Sequence, residues 1–297
     1  MSRVFIPSTL DSLWRVLDKE PEARIYAGGT DLFVVLRKNP VSPSPLVCLG
    51  QIKELKGVQE SDQGVFIGAC TSHTSLLANP IIRNRFPLLT KALRCLGSPP
   101  IRNMGTIGGN ICTASPAGDT LPPLYVLDAE LETRSHSSVR RMAIADFIAG
   151  PGQRRLTRGE IVAGIWLKND FDFNIHHFEK VGQRNALAIS IASLAALLKV
   201  SETGVIERVR LAWGSVAPTI VRPAGIEAVL KGQLLSKETL QKAILLLPEA
   251  ISPIDDIRAT AAYRQIVAGN LLLRLLTLSP RGEEWLQKQK SSTPDNG

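Results

Sequence analysis

The frames Ala27-Gly28-Gly29-Thr30-Asp31-Leu32 and Thr106-Ile107-Gly108-Gly109-Asn110-Ile111 set two glycine pairs in matching contexts. A glycine has no Cβ, so its N–H can approach an anion closely and can occupy φ values that other residues avoid. A single pair reads as a turn after a strand. Two in matching frames read as bare-backbone cradles for the phosphates of one diphosphate ligand. The first follows the short apolar run Ala23-Arg24-Ile25-Tyr26-Ala27 and precedes Asp31-Leu32-Phe33-Val34-Val35-Leu36-Arg37, which reads as a strand, a loop and a helix start. That order places N–H groups around an anion. The Rossmann pattern G-x-G-x-x-G and the P-loop pattern are both absent, which argues against a nucleoside triphosphate.

At 297 residues the chain can bury the cores of two domains. Its net charge of +8 is spread along the sequence without interleaved aromatics, which argues against nucleic acid. The charge fits an anionic cofactor and an acidic partner protein. Cys48, Cys70, Cys95 and Cys112 lie far apart with no Cys-x-x-Cys or ferredoxin-type run, so no iron–sulfur centre is expected on this chain. His73, His136, His176 and His177 form no metal-ligand spacing with them, and no metal site is expected. The start, Met1–Pro7, lacks the apolar core of a signal peptide, and no apolar stretch reaches the roughly eighteen residues of a membrane span. A cytoplasmic protein is expected, with a polar tail over 287–297.

Along the chain, Arg3–Ile6, Arg24–Ala27 and Leu46–Leu49 read as strands and Asp11–Lys19 as a helix capped by Ser8 or Thr9, together a small βαβ unit. Val58–Glu60 and Val65–Ala69 flank a turn and predict a hairpin. One helix is predicted over Arg83–Leu96, then strands at Ala129–Thr133 and Ile161–Leu167. A boundary is predicted near Lys168–Asp172. Beyond it lie strands at Phe173–Lys180, Ile189–Val200 and Ile206–Ala212 and helices at Ala224–Lys231, Lys237–Leu246 and Arg258–Leu276.

The two glycine frames, with Arg102–Gly105 before the second, Ser115-Pro116-Ala117-Gly118-Asp119, Pro122-Pro123 and Phe178-Glu179-Lys180-Val181-Gly182-Gln183-Arg184, form an ordered set. Gly150-Pro151-Gly152, Glu160-Ile161-Val162, Val216-Ala217-Pro218-Thr219 and Asp256-Ile257-Arg258 continue it across nearly the whole chain. This set resembles the FAD-binding (medium) subunit of molybdenum hydroxylases, the xanthine dehydrogenase and carbon monoxide dehydrogenase flavoprotein family. The resemblance implies an α+β chain: a two-subdomain FAD-binding fold of the vanillyl-alcohol-oxidase (PCMH) type, then a C-terminal α+β domain with a small antiparallel sheet and helices. The corresponding limits are 1–170 (subdomains about 1–56 and 57–170) and 173–280.

In that family FAD lies extended between the subdomains with its pyrophosphate on the two glycine loops, which agrees with the reading of Ala27–Leu32 and of Ile107, Gly108 and Gly109. By the same resemblance Thr30, Thr106, Asn110, Thr113, Ser115 and Asp119 hydrogen-bond the cofactor, and Cys112 offers its backbone. Val162 and Leu96 form an apolar wall near the isoalloxazine. Lys180 stands where the family places a basic residue able to stabilise the reduced ring by charge. No histidine or cysteine lies in the first glycine loop, so the FAD is expected to be non-covalent. Relatives often carry an acidic residue shortly after the position of Arg184, where this chain has Ala186-Leu187-Ala188; the iron–sulfur insertion of the benzoyl-CoA reductase branch is missing. The implied function is electron transfer from a [2Fe-2S] partner through FAD to NAD⁺ or another acceptor, with a molybdenum-cofactor large subunit and a [2Fe-2S] small subunit as partners. A self-contained FAD-dependent oxidase of the same fold and a flavin-free scaffold are the alternatives.

Overall fold

The computed structural model describes residues 3–38, 44–170, 172–184 and 188–278. The N-terminal unit comprises β1 (Val4–Phe5), α1 (Leu10–Lys19), β2 (Arg24–Tyr26), α2 (Leu32–Lys38) and β3 (Leu46–Cys48). Its sheet is parallel in the order β1-β3-β2. The last strand takes the centre because Leu46 and Val47 are buried, whereas β1 and β2 are largely exposed and suit the edges. Thr9 caps α1 by a reciprocal pair with Ser12. The helix then buries Leu13 and Trp14 on Val47, Ile52 and Leu55.

The central unit holds β4 (Val58–Ser61), β5 (Gly64–Gly68), α3 (His73–Ala78), α4 (Pro80–Arg85), α5 (Pro87–Cys95), α6 (Pro99–Met104), α7 (Ile107–Thr113), α8 (Leu121–Val126), β6 (Glu130–Arg134), β7 (Val139–Ala143), α9 (Ile144–Phe147), β8 (Ile148–Gly150), β9 (Gln153–Arg154) and β10 (Ile161–Leu167). Its main sheet is antiparallel in the order β4-β5-β10-β6-β7, and β8 pairs with β9 as a separate ribbon. The two most buried strands, β5 and β10, are adjacent. The helix expected over Arg83–Leu96 is instead two, α4 and α5. Pro87 has no N–H to donate and turns the preceding residue out of the helical region, and Phe86, at φ −125° and ψ 58°, is buried at the break.

The C-terminal unit begins with the antiparallel sheet β11 (Ile175–Val181), β12 (Ala192–Val200) and β13 (Ile206–Gly214). Four helices follow: α10 (Ala224–Leu230), α11 (Lys237–Ile244), α12 (Leu247–Ala250) and α13 (Ala261–Leu273). The helix expected to start at Arg258 starts after the cap Thr260, and the Ile189 end of the expected strand lies outside β12. Alternation along the strands serves two cores. Leu194, Ala196, Leu198, Leu211 and Trp213 pack with the four helices, while Ala195, Leu197, Ala212 and Phe178 pack with the core of the central unit.

The connection into this sheet is held by charge. Asp170 accepts from Arg208 and Arg210, whose guanidinium groups also lie over the Phe173 ring. Arg210 and Arg222 pair with Asp128 at the end of α8. The expected tail over 287–297 lies outside the described residues, as do Ala186 and Leu187.

Candidate functional site

The first glycine loop leaves the end of β2 and lies against the C-terminal end of α6. A Cβ on Gly28 would sit 1.8 Å from the Met104 carbonyl oxygen, and Gly29 has φ +74°, a left-handed conformation that disfavours side chains. Both glycines are therefore fixed by geometry. The second loop is clamped by the segment after β5. Ile107 N–H donates to Thr71 O, Gly108 N–H to Ala69 O, and His73 N–H to Gly105 O. Thr106 then caps α7, its Oγ1 accepting from Gly109 N at 3.1 Å and its carbonyl from Asn110 N.

These bonds correct one expectation. The N–H groups of residues 107–110 are spent inside the chain, so the second loop offers a ligand bare Cα surface, not a fan of donors. The loops are also tied directly, with Thr113 Oγ1 donating to Asp31 Oδ2 at 2.7 Å. Asn110 Oδ1 accepts from Thr120, Ser115 Oγ from Ala117 N, and the Cys112 carbonyl from Arg154 Nη1. These groups, which the resemblance assigns to the cofactor, brace the loops in the structure.

Between the N-terminal and central sheets lies a cleft of about 800 Å³, within the range of cofactor sites. Of the residues singled out from sequence, Ala27, Leu32, Gly108, Gly109, Cys112 and Val162 line it. A second group lies where Lys180 reaches Asp119, with Cys95, the residue before Leu96, close enough to feel both charges. Lys180, Ser193 and Gly214 stand in one cross-strand row facing the turn 115–119 and α8. A Cβ on Gly214 would meet Ser193 Oγ at 2.6 Å and Pro122 Cγ at 3.0 Å, so only glycine lets the sheet close on that turn.

Lys180 is not a surface lysine. Its Nζ donates to Asp119 Oδ2 at 2.6 Å and to the carbonyl of Ala188 at 3.2 Å, and both charged side chains are nearly buried. Burial pushes the Asp119 carboxyl up to about 6, with the Lys180 ammonium pulling the other way. The second oxygen, Asp119 Oδ1, is buried with no partner among the described residues. In the segment after Arg184, Ala188 thus contributes a backbone carbonyl to the Lys180 ammonium. Close by, Arg102 Nη1 donates to the carbonyls of Leu96 and Gly97 and fixes the turn after α5.

Several lining residues escape sequence reasoning. Tyr26, the last residue of β2, packs edge-on against Phe33 and lines the cleft beside Arg154, Cys70 and Glu160. Glu160 is held down to about 2, chiefly by the two-pronged contact from Arg140. Burial raises the Cys70 thiol to about 12 and that of Cys112 to about 11, which keeps both as unreactive walls. Only the position of Tyr26 directly before a glycine loop could have marked it. Arg154 comes from a two-residue strand with no sequence signal.

Residues 1–167 match the FAD binding domain in molybdopterin dehydrogenase, and residues 177–278 match the CO dehydrogenase flavoprotein C-terminal domain. The chain belongs to the family of FAD-binding subunits of molybdopterin dehydrogenases. Its relatives include the nicotinate dehydrogenase FAD-subunit of Eubacterium barkeri, 30% identical over 88% of this chain and 90% of that one. A xanthine dehydrogenase FAD-binding subunit of Escherichia coli is also 30% identical, over 86% and 88%. Among solved structures, a carbon monoxide dehydrogenase from Hydrogenophaga pseudoflava superposes with a TM-score of 0.86 at 27% identity, covering 92% of this chain and 95% of that one.

The expected α+β fold of these oxidoreductase subunits is the one observed. Among the described residues no helix is long and apolar enough to cross a membrane, and no group of His, Cys, Asp or Glu could hold a metal ion.

The residues present fit an FAD. The cleft has the required size, the exposed Gly109 lines it, and Asp119 Oδ1, without a partner among the described residues, is an acceptor suited to a hydroxyl or ring N–H. The Thr113–Asp31 bond holds the loops at one spacing. Thr113→Val is expected to weaken FAD retention by about three- to tenfold, the worth of one such hydrogen bond. Flavin released from the purified protein, measured by chromatography at graded FAD concentrations, checks this.

Proposed function

We propose that this chain is the electron-transfer subunit of a molybdenum-containing hydroxylase, receiving single electrons from a [2Fe-2S] chain and delivering them in pairs to NAD⁺ or another acceptor. The domain limits 1–170 and 173–280 and the cofactor contacts implied by resemblance belong to this reading. Bound FAD supplies the conversion between one-electron and two-electron traffic. The chain supplies position and electrostatics. Gly28 and Gly29 let the first loop pack against Met104 and Phe33, and Gly108 and Gly109 present backbone to the cleft in which a diphosphate would lie. Leu96 and Val162 are buried apolar side chains suited to keep water from the flavin ring.

The observation that carries the reading is the nearly buried Asp119–Lys180 pair with its one unengaged carboxylate oxygen. Above about pH 6 the pair is close to neutral; below it Asp119 holds a proton and the Lys180 charge stands uncompensated. A cation so placed favours electron-rich states beside it. No organic substrate site is needed on this chain for that task.

The test uses the assembled complex with its molybdenum-cofactor and [2Fe-2S] subunits. Organic substrate is expected to bleach the flavin band only when both partners are present, with NADH forming under anaerobic conditions if NAD⁺ is the acceptor. Bleaching of the isolated, flavin-loaded chain by the substrate would make it a self-contained oxidase. A complex fully active without flavin would make it a scaffold.

A further inference from the structure

Helix α2 has the sequence Leu-Phe-Val-Val-Leu-Arg-Lys, and none of its residues is buried. Phe33, Val34 and Val35 are 49%, 54% and 50% exposed. On the neighbouring α6, Ile101 and Met104 are exposed as well. The two helices meet through the first glycine loop, where the Phe33 ring lies against Gly29 and the Met104 carbonyl against Gly28. The five exposed side chains are thus carried on the two helices that flank one loop, whose neighbours Ala27 and Leu32 line the cleft. An apolar helix with no buried face marks an interaction surface.

The rim of this surface is basic. Arg37 and Lys38 close α2; both are exposed, and among the described residues neither forms an ion pair with a carboxylate. Asp31, the residue directly before α2, is engaged by Thr113. A second copy of the chain would bring the same cations face to face in a two-fold contact. A partner with an apolar centre and an acidic rim complements the surface.

The geometry points to this α2–α6 surface as the docking site for an acidic face of the [2Fe-2S] partner, an inference that rests on the electron-transfer reading. Its place supports that choice. α6 runs from the Leu96–Gly97 turn, fixed by Arg102, to the first glycine loop, so a partner seated on it abuts the Leu96, Asp119 and Lys180 end of the site. An electron donor must approach there.

The test co-expresses the chain with both partner subunits, captures an affinity-tagged [2Fe-2S] subunit, and measures the chain recovered, its FAD content and the mass of the free chain by light scattering. Val34→Glu/Val35→Glu is expected to cut recovery at least about tenfold, as loss of an interface centre does. Arg37→Glu/Lys38→Glu is expected to cut recovery and to abolish its weakening by salt. Val139→Glu, an equally exposed position on β7, should change nothing. Unchanged recovery of the α2 variants from a parent that assembles overturns the docking site and leaves the functional reading intact. So does equal loss with Val139→Glu. A fall in self-association with partner capture intact reassigns the surface to a second copy. A parent that never captures the [2Fe-2S] subunit overturns the functional reading and the docking with it.

Discussion

Gly28→Ala is expected to empty the flavin site. The added Cβ would stand 1.8 Å from the Met104 carbonyl oxygen, 2.6 Å from its carbon and 3.1 Å from Gly105 Cα. All three are backbone atoms, so no side chain can swing aside. Either the first loop lifts or α6 and the start of the second loop retreat by more than an ångström. The second course strains the bonds His73 N–Gly105 O and Ile107 N–Thr71 O; the first pulls Asp31 from Thr113. Overpacking of this kind costs about 1–3 kcal/mol where partial relaxation is possible, and more where it is not. Because Ala27, Leu32, Gly108 and Gly109 of the displaced segments line the cleft proposed to hold FAD, the cost is expected to fall on binding. FAD retention is expected to drop at least about a hundredfold, about 2.7 kcal/mol. Gly225→Ala in α10, where nothing lies within 4 Å, is the control; it should keep full flavin and gain about 0.5–1 kcal/mol of stability. Stoichiometric FAD in assembled Gly28→Ala protein would show that the loop contact does not shape the site.

That glycine frame was legible because it is local. The same holds for the N-terminal βαβ unit, the β4–β5 hairpin and the three strands of the C-terminal sheet, whose patterns lie within single segments. The break between α4 and α5 was written in Pro87, but the apolar spacing on either side runs through it and masks the stop. The short helices α3, α6 and α7 have too few turns for a period to register, and their caps, Ser72, Ser98 and Thr106, carry the signal instead. What the sequence could not reveal is what long-range pairing decides. Two donors of the second loop, Ile107 N–H and Gly108 N–H, are consumed by Thr71 and Ala69, 36 and 39 positions earlier, a pairing that no local pattern announces. Lys180 reaches Asp119 across 61 positions because β11 and β12 align it with Ser193 over the 115–119 turn. Resemblance placed both residues at the cofactor; the structure adds that they hold each other. Tyr26 and Arg154 enter the cleft from a strand end and a two-residue ribbon, where sequence carries neither period nor motif.

Lys180→Met is expected to expose the cost of that pair. The Asp119 carboxyl is lifted from 3.8 to about 6 by burial, against the pull of the Lys180 ammonium. In the folded chain it binds a proton below about pH 6, and in the unfolded chain only below about pH 4. Between those values the folded state holds more protons, so this group's contribution to stability grows as pH falls through 6 and is smallest above it. Removing the ammonium strands a buried carboxylate, a change that costs about 3–5 kcal/mol when one partner of a buried pair is deleted. The loss should be largest at about pH 8, where the parent's Asp119 is ionised and paired, and largely recovered at about pH 5, where the acid is neutral in parent and variant alike and no longer needs a cation. The window in which protonation stabilises the fold also widens upward, because nothing now opposes the effect of burial. Asp119→Asn/Lys180→Met removes the charge altogether, so it should recover most of the stability at pH 8 and lose the pH dependence. Urea unfolding of the purified parent, single and double variants at both pH values measures all of this. An equal loss at pH 5 and pH 8 would mean that Lys180 acts through the packing of its methylene stem, and that the Asp119 charge is balanced by something other than its ammonium.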